Sequence, residues 1–400
     1  MKVLILCEVL DLEGTSEGIV SNSFVVKYKK LFPNHDVEVV WLSDRPHLKE
    51  LSKKLCFNPK IVQVKKKKYT WVENKICGLA YHLFNINIKD WIKISRYKKK
   101  LKTLNLDQYH DVFVRSGGLD FYLIRALRGY KYLNKMLLYF HDPYPASLYS
   151  GSKSKLNTTD FYKIKEMREI VSDAKAVFSP SKKLSSDLGF LFGRRFKTLP
   201  HQFDENIFKN YKTKFETKLD DNFLYITYHG AIQHNRSLDL LLTAFVSLVD
   251  KNYEFNKFKF VIRSKGLEVN KLKALYKNNN HILFLKKISA FESFYEQKKY
   301  SSLSIVLETD GEYSNILSGK VPMLSDINSE LLCLTSKDSE LKRLLKNSHD
   351  NFSDYDEHEI YIKLNKLLNN LIDKKEINYP LKEYFSDKEF VKSVKDISNA

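Results

Sequence analysis

Short apolar runs of strand length alternate with longer amphipathic segments along the whole chain, and this alternation constrains the fold most strongly. The runs in the first half cover residues 2–9, 37–42, 111–115, 136–140 and 176–179. Those in the second half cover residues 224–228, 259–263, 281–285, 303–307 and 321–324. Strands that alternate with helices at this spacing predict an α/β fold with parallel sheets and helices on both faces.

The residues between the two halves predict a two-domain chain. Residues 194–208 predict a strand and then a crossing that contains Pro200, and the charged residues 209–221 follow with little pattern. We therefore expect two Rossmann-like domains that face each other across a cleft, residues 1–203 and 204–385. Residues 386–400 are expected to form a C-terminal helix that packs back near the first domain.

The composition is that of a globular protein with two cores. The chain has 400 residues, of which 43% are apolar, and this is enough to bury two cores. No stretch approaches a spanning length of uninterrupted apolar residues, and the first ten residues predict a buried strand and not a signal peptide. The four cysteines lie far apart without a CxxC pair, which predicts reduced thiols in a cytoplasmic protein and no zinc site.

The formal net charge of +19 bears on the partners of the chain. Such a charge indicates a polyanionic partner, which could be nucleic acid, an anionic membrane surface or a phosphorylated ligand. The chain is also rich in Lys, Asn, Ile, Tyr and Phe and poor in Ala. A compositional bias therefore explains the charge as well as a partner does, and both interpretations stay open.

The most informative segment for function is LETDGEYSNILSGKVPMLSD, residues 307–326. A predicted strand ends there in an acidic loop that holds Glu308 and Glu312, and a helix is expected to begin at Ser314 and Asn315. The free N–H groups of a helix start bind phosphate oxygens, and carboxylates accept hydrogen bonds from ribose or sugar hydroxyls. Taken alone, the segment is better explained as an ordinary connection between a helix and a strand with a solvated acidic loop.

Residues 228–245 carry a second strand-to-helix loop. Gly230 follows the strand and lets a ligand approach the backbone closely. Arg236 lies just before the expected helix, where its fork of donors could hold a diphosphate. Arg263 and Lys265 follow another strand of the same half and are either further phosphate contacts or solvated charges.

Together these two segments resemble the C-terminal domain of the GT-B glycosyltransferases, most nearly the retaining, family-4-like group. The order of loop glycine, basic residue, apolar helix, acidic loop and Pro-containing turn is the same. In the first half, YFHDPYP (139–145), AVFSPSKKLSSDL (176–188) and TLPHQFDENIF (198–208) resemble the segment of an active-site His, the last N-domain strand and the interdomain crossing. The resemblance covers nearly the whole chain and implies the GT-B fold.

The chain departs from the pattern of that group at three places. Ala231 stands where the group has a basic residue, and the turn from Gly319 to Pro322 is one residue longer than GxP. The usual pair of glutamates eight residues apart is not reproduced. Glu308 and Glu312 are therefore both candidates for holding ribose or sugar hydroxyls, and the identity of the donor and the retaining outcome stay open.

The resemblance also implies roles for residues of the first half. His141 would contact the transferred sugar and Asp142 would orient it, although a His at a strand end is also a common structural residue. The loop after the first strand is expected on the acceptor side and holds Gly14, Thr15, Ser16 and Glu17. GT-B enzymes stabilise the leaving diphosphate with basic side chains and helix dipoles, so the resemblance implies no metal and no cofactor beyond the donor.

Residues 65–102 form a separate basic stretch. Four lysines, 65–68, precede Tyr69 and Trp71, and apolar residues from Trp91 to Leu104 follow helical spacing among further basic residues. A basic amphipathic helix of this kind can dock on anionic lipid. A domain helix with a solvated basic face explains the pattern equally well.

The resemblance implies transfer of a sugar from a UDP- or GDP-linked donor to a glycan or lipid-linked acceptor, as in bacterial surface polysaccharide synthesis. His141, Arg236 and Glu308 would form the catalytic set, with the diphosphate on Arg236 and the Ser314–Asn315 helix start. We expect a cytoplasmic protein, attached to the inner face of the membrane through Lys65–Lys102 if that stretch docks, with no nucleic-acid partner. Two alternatives stay open, a UDP-sugar 2-epimerase of the same fold and a non-catalytic protein that binds polyanions or membranes.

Overall fold

The computed structural model describes residues 1–13, 15–211, 218–232, 235–327, 329–377 and 380–399. The chain divides into two compact units, which we call unit 1 (residues 1–210 with 386–400) and unit 2 (residues 211–385). The sequence analysis placed the boundary after residue 203. No helix in the described part of the chain is both long enough and apolar enough to cross a membrane.

Unit 1 is built on a parallel sheet of seven strands in the order β3-β2-β1-β4-β5-β6-β7. The strands are β1 Lys2–Cys7, β2 Asp36–Ser43, β3 Lys60–Gln63, β4 Asp111–Arg115, β5 Met136–Tyr139, β6 Ala176–Ser179 and β7 Lys197–Thr198. The helices are α1 Ser16–Leu31, α2 Leu48–Ser52, α3 Trp71–Phe84, α4 Ile88–Leu101, α5 Tyr122–Arg125, α6 Thr158–Asp173 and α7 Lys182–Phe192, with short 3₁₀ turns at Leu133–Lys135, Ala146–Leu148 and Glu205–Phe208. Strands β4, β5 and β6 are buried along their whole length, which is why their sequences read as continuous apolar runs.

Unit 2 is built on a parallel sheet of six strands in the order β10-β9-β8-β11-β13-β15, and β12 pairs separately with β14. The strands are β8 Leu224–His229, β9 Phe258–Arg263, β10 Ile282–Leu285, β11 Ser301–Leu307, β12 Tyr313–Ser314, β13 Glu330–Leu334, β14 Asp338–Ser339 and β15 Phe352–Ser353. The helices are α8 Asp239–Lys251, α9 Leu267–Leu275, α10 Ala290–Tyr300, α11 Val321–Leu324, α12 Glu340–Leu344 and α13 Glu357–Ile372, with 3₁₀ turns at Tyr253–Lys257 and His349–Asn351. The core of this unit packs leucines and phenylalanines of α8 and α13 against β8, β9 and β11.

The last helix, α14 Asp387–Ser398, belongs to unit 1. The ring of Phe390 packs edge-on against Phe24 of α1, with the centroids 5.7 Å apart. The carboxylate of Asp387 lies 3.1 Å from the ammonium of Lys27 and 2.9 Å from that of Lys30. Apolar packing and these ion pairs hold α14 against α1.

The expected strands are present except the last one, and the prediction of a strand at residues 321–324 is wrong. Residues Val321–Leu324 form the short helix α11, with Pro322 in its first turn, where the missing N–H of proline costs nothing. All four residues are buried, and a short apolar run of this kind does not distinguish a strand from a buried helix. The expected helix start at Ser314 and Asn315 is also wrong, because Tyr313 and Ser314 pair as strand β12 with β14.

Candidate functional site

The two segments that the sequence analysis singled out in the second half lie side by side in unit 2. Because β8 and β11 are parallel neighbours, the residues that follow them meet at the carboxyl edge of the sheet. The N–H of Asp310 donates to the carbonyl of Asn235 at 3.1 Å, and the side-chain amide of Asn235 donates to the carbonyl of Asp310 at 2.8 Å. These two bonds tie the loop of Arg236 to the acidic loop that follows β11.

Glu308, the first residue after β11, is a buried carboxyl group at this edge. Its backbone N–H donates to the carbonyl of Leu334 at 2.8 Å, while neither of its buried carboxyl oxygens has a hydrogen-bond partner among the described residues. Burial raises the pKa of Glu308 to about 8, and Ser339, Ser336 and Arg236 offset only part of this rise. At neutral pH the group is therefore mostly protonated, so it can donate a hydrogen bond as well as accept one.

Two cations, Arg236 and Lys320, lie near each other at this edge, and Arg236 also lies near the carboxyl group of Glu308. The Nε of Arg236 is buried and has no hydrogen-bond partner within the described ranges. The ammonium of Lys320 occupies the space that a Cβ on Gly230 would need, and it lies 5.4 Å from the ring centroid of Tyr228. A neutral Glu308 does not compete with an anionic ligand for Arg236, which favours the binding of an anion at this edge.

The pKa of Lys320 reflects that surplus of positive charge. Burial, together with the positive charges of Arg236 and Lys287, lowers this pKa to about 7. A lysine in this state gains affinity for a proton when an anion arrives, because the anion stabilises the charged form. Lys320 and Arg236 together are thus suited to bind a phosphate or diphosphate group.

Lys320 is the residue that the sequence analysis missed. Two features of the sequence could have pointed to it. Gly230 has no side chain and so makes room for the ammonium. The turn from Gly319 to Pro322 contains Lys320 and is one residue longer than GxP. Ala231 stands where the resembling enzymes have a basic residue. Lys320 brings a positive charge to the same loop from a distant part of the sequence.

Arg263 and His229 belong to a buried network at the ends of β8 and β9. The guanidinium of Arg263 donates from Nε and Nη2 to the two oxygens of Glu296, both at 2.6 Å, and from Nη1 to the carbonyl of Lys286 at 2.8 Å. His229 Nδ1 lies 2.9 Å from Ser293 Oγ, and its Nε2 lies 3.3 Å from Glu296. The interpretation of Arg263 as a solvated charge is wrong, and its role as a phosphate contact stays a prediction.

Burial and charge pairing compete in this network. Burial opposes ionisation of Glu296, but His229 and Arg263 outweigh it and lower the pKa of Glu296 to about 2. Burial also lowers the pKa of His229 below its ordinary value. The network holds the carboxyl end of β8 in place just before Gly230, and the sequence analysis did not predict it.

The other candidate ligand-binding residues of the second half differ in how exposed they are. Glu312 is exposed and pairs with Lys337 at 2.7 Å, whereas Glu308 is buried, so Glu308 is the better placed of the two to meet a ligand at the sheet edge. Ser314 and Asn315 are both buried, and no helix N-terminus stands at them. Lys265 is exposed on the loop after β9.

In unit 1, Glu17 and His141 come together at the carboxyl edge of the sheet. His141 follows β5, and its Nε2 lies 3.1 Å from Glu17 in the first turn of α1 and 3.6 Å from Asp142. The N–H of Gly118 donates to both oxygens of Glu17 at 3.2 Å. The sequence analysis placed Glu17 on the acceptor side without linking it to His141.

This pair is coupled electrostatically. Burial disfavours a charged imidazole, but the carboxylate of Glu17 outweighs it and raises the pKa of His141 above its ordinary value. Burial likewise opposes ionisation of Glu17, yet His141 and the N–H of Gly118 lower the pKa of Glu17 to about 2. His141 can thus take up a proton or present a positive charge near neutral pH.

The loop that donates to Glu17 is held by a second carboxyl group. Glu8, directly after β1, accepts hydrogen bonds from the hydroxyl of Ser116 at 2.7 Å and from the N–H of Gly117 at 3.0 Å. Burial raises the pKa of Glu8. Of the other acceptor-side candidates, Thr15 and Ser16 are exposed, and Gly14 lies outside the described residues.

Within the described residues, one group of side chains has the geometry to hold a metal ion. The possible ligand atoms of Glu17, His141 and Asp142 all lie within 4.8 Å of one another. The imidazole of His141 already lies within ion-pair distance of both carboxylates there. The expectation that no metal is needed stays a prediction.

Comparison with known proteins was informative at the level of structure only. No protein-family model matches the chain, and no curated protein is similar to it in sequence. Among solved structures, UDP-GlcNAc 2-epimerase from Neisseria meningitidis bound to UDP-GlcNAc is 13% identical with a TM-score of 0.60, covering 99% of this chain and 100% of that one. An α-glucosyltransferase in complex with UDP and a 13-mer DNA is 13% identical with a TM-score of 0.58, covering 100% of both chains.

A third similar structure is the lipopolysaccharide outer core galactosyltransferase WaaB in its apo form. It is 11% identical with a TM-score of 0.57, and the match covers 99% of both chains. The chain has the α/β fold of the GT-B proteins. At these identities the similarity shows the fold alone, so it does not separate a retaining, family-4-like transferase from other GT-B proteins.

Proposed function

We propose that this protein is a glycosyltransferase that uses a UDP-sugar as its donor. The observation that carries the proposal is the pair of cations, Arg236 and Lys320, at the carboxyl edge of unit 2, where Arg236 also lies near the buried Glu308. The similar structures support UDP, because those of the epimerase and of the α-glucosyltransferase contain UDP-GlcNAc and UDP respectively. The GDP-linked donor of the sequence analysis has no such support.

In this proposal unit 2 binds the donor and stabilises the leaving group. The donor diphosphate lies on Arg236 and Lys320, and the missing side chain of Gly230 makes room for the ammonium of Lys320. Glu308 exchanges hydrogen bonds with a hydroxyl of the ribose or of the sugar. Breaking the glycosidic bond leaves negative charge on UDP, and preorganised cations stabilise that charge at low dielectric.

Unit 1 supplies the acid–base group. His141, held by Glu17 and Asp142, can accept the proton of an acceptor hydroxyl or place a positive charge against the sugar. The acceptor we propose is a glycan or a lipid-linked sugar of a bacterial surface polysaccharide, and the anomeric outcome we propose is retention. Both rest on the resemblance of the sequence, as does a location at the inner face of the membrane.

A second candidate is a UDP-sugar 2-epimerase. The specific observation in its favour is the cluster of Glu17, His141 and Asp142, because epimerisation needs groups that remove and return a proton. UDP-GlcNAc 2-epimerases from Neisseria meningitidis and Methanocaldococcus jannaschii are also among the similar structures. The epimerase would act on the donor without any acceptor.

Product analysis tests the proposal. The protein is incubated with UDP-glucose, UDP-galactose or UDP-GlcNAc, with and without an extract of lipid-linked glycans, and UDP and sugar products are separated. A transferase releases UDP and extends a glycan only when the extract is present. An epimerase converts UDP-GlcNAc without the extract. The control is Lys277→Ala, which removes an exposed lysine on the surface of unit 2. The absence of both products with all three donors would contradict the proposal.

A further inference from the structure

Helix α3 (Trp71–Phe84) turns an apolar stripe towards solvent. Val72, Ile76, Leu79 and Leu83 follow the spacing that puts one face of a helix against a core, yet each of them is more than half exposed. Trp71 and Phe84 are exposed as well, at 69% and 67%. Cys77 is the one buried residue of this helix.

The ends of α3 are well formed, so the exposure is a property of an ordered helix. Thr70 accepts a hydrogen bond from the N–H of Glu73 at 3.3 Å, and Glu73 accepts one from the N–H of Thr70 at 2.8 Å. This capping box fixes the N-terminus. At the other end, the hydroxyl of Thr159 at the start of α6 donates to the carbonyl of Asn85 at 2.8 Å.

That last bond joins the end of α3 to the start of α6, which also exposes aromatic side chains. Phe161 and Tyr162 of α6 follow Thr159 closely and are exposed at 62% and 66%. An exposed apolar surface of this size, built from aromatic and aliphatic side chains, marks an interaction site in a soluble domain. Trp, Tyr and Phe are the residues that sit at the boundary between lipid headgroups and acyl chains.

Basic side chains surround the same surface. Lys65, Lys66 and Lys68 precede α3 and are exposed, and the ammonium of Lys75 lies 3.8 Å from the ring centroid of Trp71. Lysines beside apolar residues match a bilayer with anionic headgroups above apolar tails. A second copy of this chain fits less well, because pairing the two surfaces would bring two lysine clusters of a protein with net charge +19 together.

Helix α4, which covers most of the basic amphipathic segment considered for docking from the sequence, has another role. Its Tyr97 and Leu101 are fully buried in the core of unit 1, and Ile94 packs against that core. The apolar face of α4 is therefore occupied, while that of α3 is free of the core.

We propose that α3, with Phe161 and Tyr162 of α6 and the lysines at 65, 66, 68 and 75, docks in the plane of an anionic membrane. The helix lies in the interface with Val72, Ile76, Leu79 and Leu83 among the acyl chains and does not span the bilayer. The docking stands independently of the reaction, and under the proposed function it holds the enzyme at the surface that carries lipid-linked acceptors.

Vesicle co-sedimentation of the full chain tests the docking. Wild type is expected to bind phosphatidylcholine vesicles that contain 30% phosphatidylglycerol, and to lose about a hundredfold in affinity when Lys65, Lys66 and Lys68 are changed to Gln. Leu79→Gln with Leu83→Gln is expected to lose at least about tenfold. The matched control is Phe190→Gln on α7, which removes an exposed phenylalanine elsewhere on unit 1 and is expected to bind as wild type.

The same variants distinguish membrane docking from pairing of two copies of the chain. Absence of wild-type binding, or equal binding by the Leu79/Leu83 variant, would overturn the proposal. So would sedimentation velocity that shows a dimer in wild type and a monomer in that variant, because the partner would then be a second copy. Quenching of tryptophan fluorescence by brominated lipid tails tests insertion without a disruptive change. In Trp91→Phe the remaining tryptophans are Trp71, which is exposed, and Trp41, which is buried. Quenching is expected, and its absence would contradict insertion whatever the activity assay shows.

Discussion

Under the proposed function, three side chains of unit 2 bind the donor, and the surroundings of each side chain determine its charge. Glu308 is buried and mostly neutral, Arg236 has a buried Nε without a partner in the described chain, and Lys320 takes the space beside Gly230. Two cations next to a neutral acid bind a diphosphate more strongly than two cations next to a carboxylate, because no internal anion competes.

The titration of Lys320 predicts the pH dependence of UDP binding. Its pKa in the free protein is about 7, and the protonated form attracts the diphosphate, so binding takes up a proton and weakens as the pH rises through 7. We expect UDP affinity to fall by up to about tenfold per pH unit above 7 in wild type. Titration calorimetry from pH 6 to 9 measures this fall.

Lys320→Arg provides the matched comparison for that experiment. Arginine keeps its charge over the whole pH range, so UDP affinity should fall much less with pH in this variant. Any contribution of Glu308 to the pH dependence is the same in both proteins. Parallel pH curves for wild type and Lys320→Arg would show that Lys320 does not meet the diphosphate.

Glu308 gives a prediction about stability. Its pKa is about 8 in the folded protein and about 4.5 ordinarily, so between these values the folded state binds more protons than the unfolded state. Stability contributed by the protonated group is therefore fully present below pH 4.5 and is lost as the pH rises towards 8. Wild type should therefore lose about 2–4 kcal/mol of unfolding free energy as the pH rises over this range. Glu308→Gln, which stays neutral, should not show this loss.

Urea unfolding at pH 5 and pH 8 compares the free energies of unfolding. The control Glu312→Gln changes an exposed carboxylate of the same loop and should keep the wild-type pH dependence. If Glu308→Gln loses as much stability as wild type between the two pH values, the carboxyl group is not protonated in the folded state.

At the scale of elements, α3 and α4 show how similar sequences take different roles. Both are 14-residue helices in a lysine-rich stretch, but α4 fills the core with Tyr97 and Leu101 while α3 exposes its stripe. Leu101→Ala should therefore lower the free energy of unfolding by about 2–5 kcal/mol, and Leu79→Ala should change it by no more than about 0.5 kcal/mol. Urea unfolding measures both, and equal losses would contradict the assignment of the two helices.

The strands were predictable from the sequence because most are buried on both faces and read as continuous apolar runs. The run at 321–324 was not, since four buried apolar residues fit a helix as well as a strand and Pro322 suits a helix start. The expected helix at Ser314 failed because pairing with β14 holds that residue in a strand. The role of α3 was hidden for a different reason, since sequence spacing marks an apolar face without showing what covers it.

The site was predictable only where its residues are local in the chain. Arg236 and Glu308 follow strands, and the rule that ligands bind at the carboxyl ends of parallel strands found them. Lys320 reaches Gly230 from a distant segment, and His229 joins Glu296 and Arg263 across three elements. Such contacts depend on tertiary packing, which one sequence does not reveal. The pairing of Glu17 with His141 belongs to the same class.

At the scale of the whole molecule, the proposed function gives donor binding to unit 2, and an acid–base pair and a membrane-facing helix to unit 1. The similar structures include both a glycosyltransferase with bound UDP and an epimerase with bound UDP-GlcNAc. Nucleotide binding by unit 2 is therefore the claim on which both candidate reactions depend.

Thermal unfolding of the full chain with UDP, GDP, ADP or CMP tests that claim most directly. Millimolar nucleotide with micromolar affinity should add about 4 kcal/mol of stability by mass action. We predict a clear upward shift with UDP in wild type and in Lys277→Ala. Arg236→Ala and Lys320→Ala should each lose most of the shift, since removing one electrostatic donor costs about 2–4 kcal/mol. No shift with any nucleotide, or a UDP shift that both variants retain, would contradict nucleotide binding at Arg236 and Lys320.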